Sequence, residues 1–447
     1  MLSCDRWFSR FKMVPAVLCV ALGAAQGAFA EEEPVVQDVL EILKERGIVD
    51  EGQYVELSAK NSAYQEEHDS LLGRIEWSGD LRIRYENFWY DNDARGVNRD
   101  NRNRMRYRLR VQGKAEINEY IDAVFRFASG EALNFDEGAN RSTNRTVGRG
   151  NDFSLDPLFI DRAYLEFKAP GDWVEGLKLK ATAGKVYNPF RWKIGKDYMI
   201  WDGDINPEGI AGMLTYDINE NLNLFVNTGY FILDENSQNA DPHVFGIQGG
   251  LHADLSEDWG MGGRASYYAW RSLNNGFFNR GERFGNVEDG LTDGAPTVRA
   301  DNTGVLEVAG YVRFSGVEDW PILLYGHWAK NLDAVSSELH PAADEEDTGW
   351  GIGVEVGDKK KYVKLGVGYY RLEANYSPAQ FPDADLFDGF TNRKGWTVYG
   401  SRQILPNTEF AVTLFFSDEL RASTPDFERS VANTDRIRLQ TDIKVKF

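Results

Sequence analysis

The last stretch of the chain limits what it can fold into more than any other. Residues 436–447 read RIRLQTDIKVKF. In an extended strand, alternate side chains point to opposite faces. Ile437, Leu439, Thr441, Ile443, Val445 and Phe447 form one row; Arg436, Arg438, Gln440, Asp442, Lys444 and Lys446 form the other. A charged row opposite an apolar row, sustained to the carboxyl terminus, is unusual in a soluble sandwich. In a membrane barrel it is expected, because apolar side chains meet lipid and polar ones meet the lumen. Phe447, a terminal aromatic on the lipid row, is the ending that outer-membrane barrels offer to the barrel-assembly machinery.

Composition fits a chain in which only half of each strand faces lipid. Of 447 residues 42% are hydrophobic and 13% aromatic, 44 are glycine, and the formal charge is -20. The acidic balance argues against nucleic acid as a partner. One stretch, 13–30, is apolar enough to suggest a helical span. Arg6, Arg10 and Lys12 precede it, and Ala28, Phe29 and Ala30 close it in small-x-small form, so 1–30 reads as a signal peptide cut after Ala30. The alternative is an uncleaved anchor. Both cysteines, Cys4 and Cys19, lie in this segment. The mature chain then has no thiol, which excludes thiolate catalysis and cysteine metal sites.

Residues 31–72 are expected to form a short helical extension in the periplasm, with Val35, Val39, Leu40, Ile42 and Leu43 at helical spacing and Gly47 as a stop. Asp50 is placed to cap a second, polar helix. From Ile75 onward the period is two. Strands are expected near 75–89, 104–117, 120–129, 159–169, 177–187, 209–218, 221–233, 243–255, 259–271, 304–315, 321–330, 348–357, 361–373, 395–404, 408–418 and 436–447. Seven tight turns alternate with eight longer connections, at about 90–103, 130–158, 188–208, 234–242, 272–303, 331–347, 374–394 and 419–433. That alternation predicts an all-β transmembrane antiparallel barrel of about 16 strands over 73–447. Closure removes edges that lipid would leave unpaired. Sixteen strands predict an aqueous passage rather than a packed interior.

Closure puts the first, second and last strands side by side. Their inward rows hold Arg82, Arg84, Arg104, Arg106, Arg108, Arg110, Lys114, Arg436, Arg438, Lys444 and Lys446, against Asp80, Glu86, Glu116 and Asp442. This predicts a basic wall able to set ion preference. The plainer alternative is that any water-facing row is charged.

Residues 160–165 (IDRAYL), 184–190 (GKVYNPF), 201–209 (WDGDINPEG) and 43–48 (LKERGI) resemble the Putative porin family of Gram-negative outer membranes. The resemblance implies a porin barrel and leaves the solutes undefined. In sixteen-stranded porins the third long connection commonly folds into the barrel. Here it carries Trp201, Asp202, Asp204 and Glu208, so its carboxylates are expected to face the basic wall across a narrowed lumen. Asp202 and Asp204 lack the rest of a calcium loop, and no metal or other cofactor is expected.

The five histidines have no helical metal spacing, and no nucleophile–base pair points to an enzyme. Aromatics assigned inward (Tyr164, Phe225, Phe231, Tyr268, Trp270) keep open a substrate-specific channel for sugars, carboxylates or an exported polymer. A barrel-embedded hydrolase is the weaker rival. The expected protein is thus an outer-membrane porin, homotrimeric, passing small hydrophilic solutes and ions and surrounded by outer-membrane lipid and lipopolysaccharide. Acidic outer connections such as 344–347 read as solvated surface.

Overall fold

A computed structural model describes residues 35–68, 74–90, 101–131, 142–148, 153, 155–170, 174–192, 194–273, 288–292, 295–298, 302–334, 346–420 and 435–447. The expected signal segment, its cysteines and the start of the 344–347 run lie outside these residues.

Two helices come first. Helix α1 spans Val35–Glu45 and α2 spans Glu51–His68. Gly47, at φ 68°, ends the first, and the Ile48 amide returns to the Leu43 carbonyl at 3.0 Å. Asp50 caps the second: the Gln53 amide donates to Asp50 Oδ1 at 2.8 Å, and the Asp50 amide donates back to Gln53 Oε1 at 3.1 Å. This is a reciprocal capping box. Among the described residues, no helix is long and apolar enough to cross a membrane.

The barrel strands are β1 (Ile75–Tyr90), β2 (Arg102–Asn118), β3 (Ile121–Ser129), β4 (Leu158–Lys168), β5 (Leu177–Lys185), β6 (Glu208–Asn219), β7 (Leu222–Ile232), β8 (His243–Asp254), β9 (Trp259–Arg271), β10 (Thr303–Phe314), β11 (Ile322–Asn331), β12 (Thr348–Val356), β13 (Lys364–Leu372), β14 (Arg393–Leu405), β15 (Thr408–Glu419) and β16 (Arg436–Lys446). Each pairs antiparallel with its sequence neighbour, and β16 pairs with β1, so the sheet closes. A two-residue strand, Arg145–Thr146, adds to β2 opposite Tyr107 and Arg106. A separate hairpin, Glu288–Thr292 with Ala295–Val298, lies within the long connection after β9. Neither was legible from periodicity, because each is too short to show it.

Facing follows the sequence rows. On β1, Trp77, Ile83, Tyr85 and Trp89 are exposed while Arg84, Glu86 and Phe88 are buried. On β16, Ile437 and Ile443 are exposed while Arg436, Arg438 and Gln440 are buried. An apolar row on the outside and a buried charged row on the inside is the reverse of a soluble protein, and it is what a lipid exterior requires.

The interior departs from the expectation of an open passage. The connections 186–207 and 373–392 turn inward and build an apolar cluster with the strands. Phe190, Met199, Ile200 and Trp201 come from one connection; Tyr376, Phe381, Leu386 and Phe387 come from the other; Phe231, Tyr268, Trp270, Tyr370 and Phe415 come from the wall. The inward aromatic rows of β7 and β9 need apolar partners, and the two connections supply them. Part of the lumen is therefore packed.

The outward rows give a first prediction. Leu439 lies on the outward row of β16, beside Asn87 of β1 and Leu414 of β15. Leu439→Arg, three residues from the start of β16 and level with Asn87, is expected to destabilise the barrel by about 1 kcal/mol, the range for Arg near a bilayer interface. Reversible unfolding from lipid vesicles, followed by tryptophan fluorescence, measures it.

Candidate functional site

Backbone register sets the inner wall row by row. Across β16, β1 and β2 the rows read Lys446–Asp80–Arg110, Lys444–Arg82–Arg108, Asp442–Arg84–Arg106, Gln440–Glu86–Arg104 and Arg438–Phe88–Arg102. The expected basic residues thus share one wall, and most of them hold a carboxylate. Arg84 grips Asp442 with two nitrogens, at 2.7 and 2.9 Å. Glu86, fully buried, accepts from Arg104 and from Arg438 at 2.5 Å. Arg108 meets Asp80 at 2.5 Å and Lys114 meets Asp122 at 3.0 Å. Arg106 reaches the Asn144 carbonyl at 3.4 Å and lies 4.0 Å from Glu86.

The connection 186–207 crosses to this wall. Gly184 (φ 126°) and Gly209 (φ 152°) face each other where it leaves β5 and rejoins β6. A Cβ at either would run into a carbonyl of the neighbouring strand, Ala163 or Tyr230, so only glycine admits this departure. Strand side chains then take the connection's backbone: Arg264 and Gln248 bond the Phe190 carbonyl at 3.1 and 3.0 Å, and Tyr370 bonds the Lys196 carbonyl at 3.0 Å. Asp197 receives Arg264 on both oxygens at 3.1 Å. At the far side, Asp204 pairs with Arg110 and accepts from the Thr143 amide at 2.9 Å.

The expected members of this connection separate. Asp204 meets the wall. Trp201 does not line water: it is buried against Phe190, Tyr268, Trp270 and Phe381, with ring centroids 5.4–6.2 Å apart. Glu208 opens β6, its side chain 65% exposed and paired with Lys185 at 2.6 Å on the outward row. It lies apart from Asp202 and Asp204 because the strand, with its alternation, begins at that residue.

The second inward connection was not anticipated from sequence. Asp385 Oδ1 accepts from Arg84 at 2.8 Å, Gln440 at 2.9 Å and Arg438 at 3.2 Å. Asp388 pairs with Arg436 and Arg438, both at 2.7 Å. The two connections also grip each other: the Asp202 amide donates to the Phe381 carbonyl at 2.7 Å, and the Ala384 amide donates to Asp202 Oδ2 at 2.8 Å. Tyr376 bonds the Met199 carbonyl at 2.6 Å.

The other inward aromatics, and the histidine beside Phe225, have structural partners. His252 stacks on Phe225 and lies 3.0 Å from the Tyr311 hydroxyl. Phe231, Tyr268 and Trp270 are covered by the inward connections, and Tyr164 packs against the same cluster. Asp197, Glu307 and His327 bring ligand-type atoms within 4.8 Å of one another. Arg264 already occupies both carboxylates, at 3.1 and 2.7 Å, so this donor set is an anchored ion cluster rather than a metal centre.

The connection carboxylates divide electrostatically. For Asp204 and Asp385 burial acts upward, but arginines overcome it, Arg110 and Arg108 for the first and Arg84 and Arg438 for the second, holding both carboxyls below the usual range. Burial and the Asp204 carboxylate push Asp202 up to about 6. Burial, Asp202 and Asp385 also push Asp383 up.

Two outcomes follow from these anchors. Arg264→Met leaves Asp197 and Glu307 buried without their guanidinium and is expected to cost about 3–5 kcal/mol, read as a lower midpoint in urea. For Asp202 the folded pKa lies above the unfolded one. Its contribution is therefore complete below about pH 4 and lost as pH rises through about 6. Protonation relieves the burial cost of Asp202 and its repulsion from Asp204 and Asp385, so the fold should gain stability from pH 7 to pH 5. The midpoint in urea should rise between those pH values, and Asp202→Asn should flatten that dependence.

Comparison with solved structures gives a likeness of fold. No curated protein matches the sequence. The structure is similar to the high-pH structure of OprB from Pseudomonas putida, with TM-score 0.50 and 10% identity over 86% of this chain and 97% of that one. It is also similar to a mutant of the Rh. blastica porin, with TM-score 0.43 and 10% identity over 83% of this chain and 100% of that one. The family described as Putative porin matches residues 95–279. The resemblance read from the sequence thus holds over residues 95–279, within a barrel of porin fold.

Proposed function

We propose that the chain is an outer-membrane porin: a water-filled channel for passive diffusion of small hydrophilic solutes and ions, narrowed by the connection 186–207. The supporting observation is a closed barrel whose outward rows are apolar and whose inward rows are charged, with Asp204 of that connection paired to Arg110 on the basic wall. The connection 373–392 narrows the same lumen from a second side. Short turns face the periplasm, together with the helical extension, and long connections face outward to lipopolysaccharide. The proposed assembly is a homotrimer, as in diffusion porins generally. Phe447, on the outward row, is the element presented to the barrel-assembly machinery.

A more selective channel is favoured by one observation. The two inward connections are pinned by ion pairs and by an aromatic cluster, so the lumen is fixed in shape rather than loosely filled. Fixed shape suits discrimination by size and charge.

Planar-bilayer recording tests the proposal. The expected result is stepwise conductance in potassium chloride, and its absence from folded protein sinks the channel reading. The double substitution Asp385→Asn with Asp388→Asn removes two carboxylates facing Arg84, Arg436 and Arg438. It is expected to move the reversal potential in a salt gradient toward anion preference. A shift toward cations would contradict the wall's assignment to the ion path.

A further inference from the structure

One row of the inner wall lacks the compensation seen in its neighbours. Toward the short turns, the row Lys446–Asp80–Arg110 contains a carboxylate and receives Asp204. Toward the long connections, the row Asp442–Arg84–Arg106 contains a carboxylate and receives Asp385. Between them Lys444, Arg82 and Arg108 stand opposite one another on three adjacent strands. Antiparallel partners lie roughly 4.5–5.5 Å apart at Cα, and like charges placed directly opposite repel.

Counter-charge for this row is diverted. Arg108 turns to Asp80 in the next row. Arg82 donates to the side-chain oxygen of Asn144, which is neutral, and its Nε is buried without an acceptor. Lys444 has no ion pair among the described residues. Glu409, beside Lys444 on β15, is held by Lys359 at 2.5 Å. Arg82 and Lys444 are half-buried rather than sealed.

We propose that the Lys444–Arg82–Arg108 row binds a small oxyanion, a carboxylate or phosphate, with Arg82 and Lys444 as direct donors and Arg108 as flanking charge. A guanidinium and an ammonium side by side offer several charge-assisted donors to one oxyanion. An anion there relieves repulsion that the protein's own carboxylates leave standing. The loop carboxylates in the rows above and below confine it to this level. The inference deepens the channel reading, since a solute must reach the lumen for the row to act on transport.

Isothermal titration of the protein refolded in detergent, with inorganic phosphate and separately with acetate, tests the row. Saturable binding of either anion is expected, weakened about tenfold or more by Arg82→Gln with Lys444→Gln. Lys185→Gln, on the outward row, should bind as the parent does. Heat-modifiable gel mobility verifies that the variants are folded; if the double variant is not, Lys444→Gln alone is read the same way. Failure of both anions to bind, or an affinity unchanged by the substitutions, overturns the site. Potassium chloride conductance of the same preparation separates the two readings. Conductance without anion binding removes this site and leaves the channel, while binding without conductance does the reverse.

Discussion

A peptide group in hydrocarbon finds no water to bond, so a sheet in a bilayer cannot leave an edge open. Here the ladder closes between the first and last strands. Beyond the last paired strand residue, Gly79 and Phe447 still exchange both backbone hydrogen bonds, at 2.7 and 3.1 Å. Gly79 also leaves room for the terminal ring, since a Cβ there would lie 2.6 Å from Phe447. Closure has a second consequence inside. It places β16 beside β1 and β1 beside β2, which puts the three most basic inward rows on one wall. The concentration of arginine at that wall follows from the same pairing that seals the barrel.

Such a wall needs counter-charge, and the strands carry too little. The inward connections bring the remainder, Asp204 to Arg110, Asp385 to Arg84 and Asp388 to Arg436 and Arg438. A buried ion pair is weak evidence of net stability by itself, because desolvation opposes the attraction. Its worth here is positional. The aromatic cluster around Trp201 and Trp270 gives the connections a dry side, and the carboxylates fix their other side in register with the wall. Neither side alone would hold a segment of this length across a lumen. Hydrophobic burial has no preferred direction, and isolated ion pairs in water are worth little.

The strand framework was legible because an alternating pattern repeated between tight turns leaves little freedom. A one-residue slip would turn every lipid-facing side chain inward. The opposition of Asp204 to the wall was legible for a related reason, since acidic residues in the third connection have a basic row to meet. The role of 373–392 was not read. Asp383, Asp385 and Asp388 look like any solvated outer connection when charge alone is counted. A signal was present in Tyr376, Phe381, Leu386 and Phe387, a density of large apolar residues with no reason to face water. Trp201 stands beside two aspartates in sequence, but its neighbours in space are Phe190, Tyr268, Trp270 and Phe381, so it packs in an apolar pocket while Asp204 meets the wall. Glu208 sits at the point where connection becomes strand, and a boundary shift of one residue decides which way such a side chain points.

Counting charges on strands alone therefore overstates the field in the lumen. Eleven basic residues against four acidic ones suggested a wall positive along its whole length. With the connections in place, carboxylates face the rows of Arg84, Glu86 and Arg110, and uncompensated charge is concentrated at Lys444 and Arg82. At physiological salt, screening acts over about 8 Å, little more than the span of a few residues along a strand. An ion moving along this wall would then meet a local step rather than a continuous slope. Moving or neutralising one connection would change where that step stands without altering any strand.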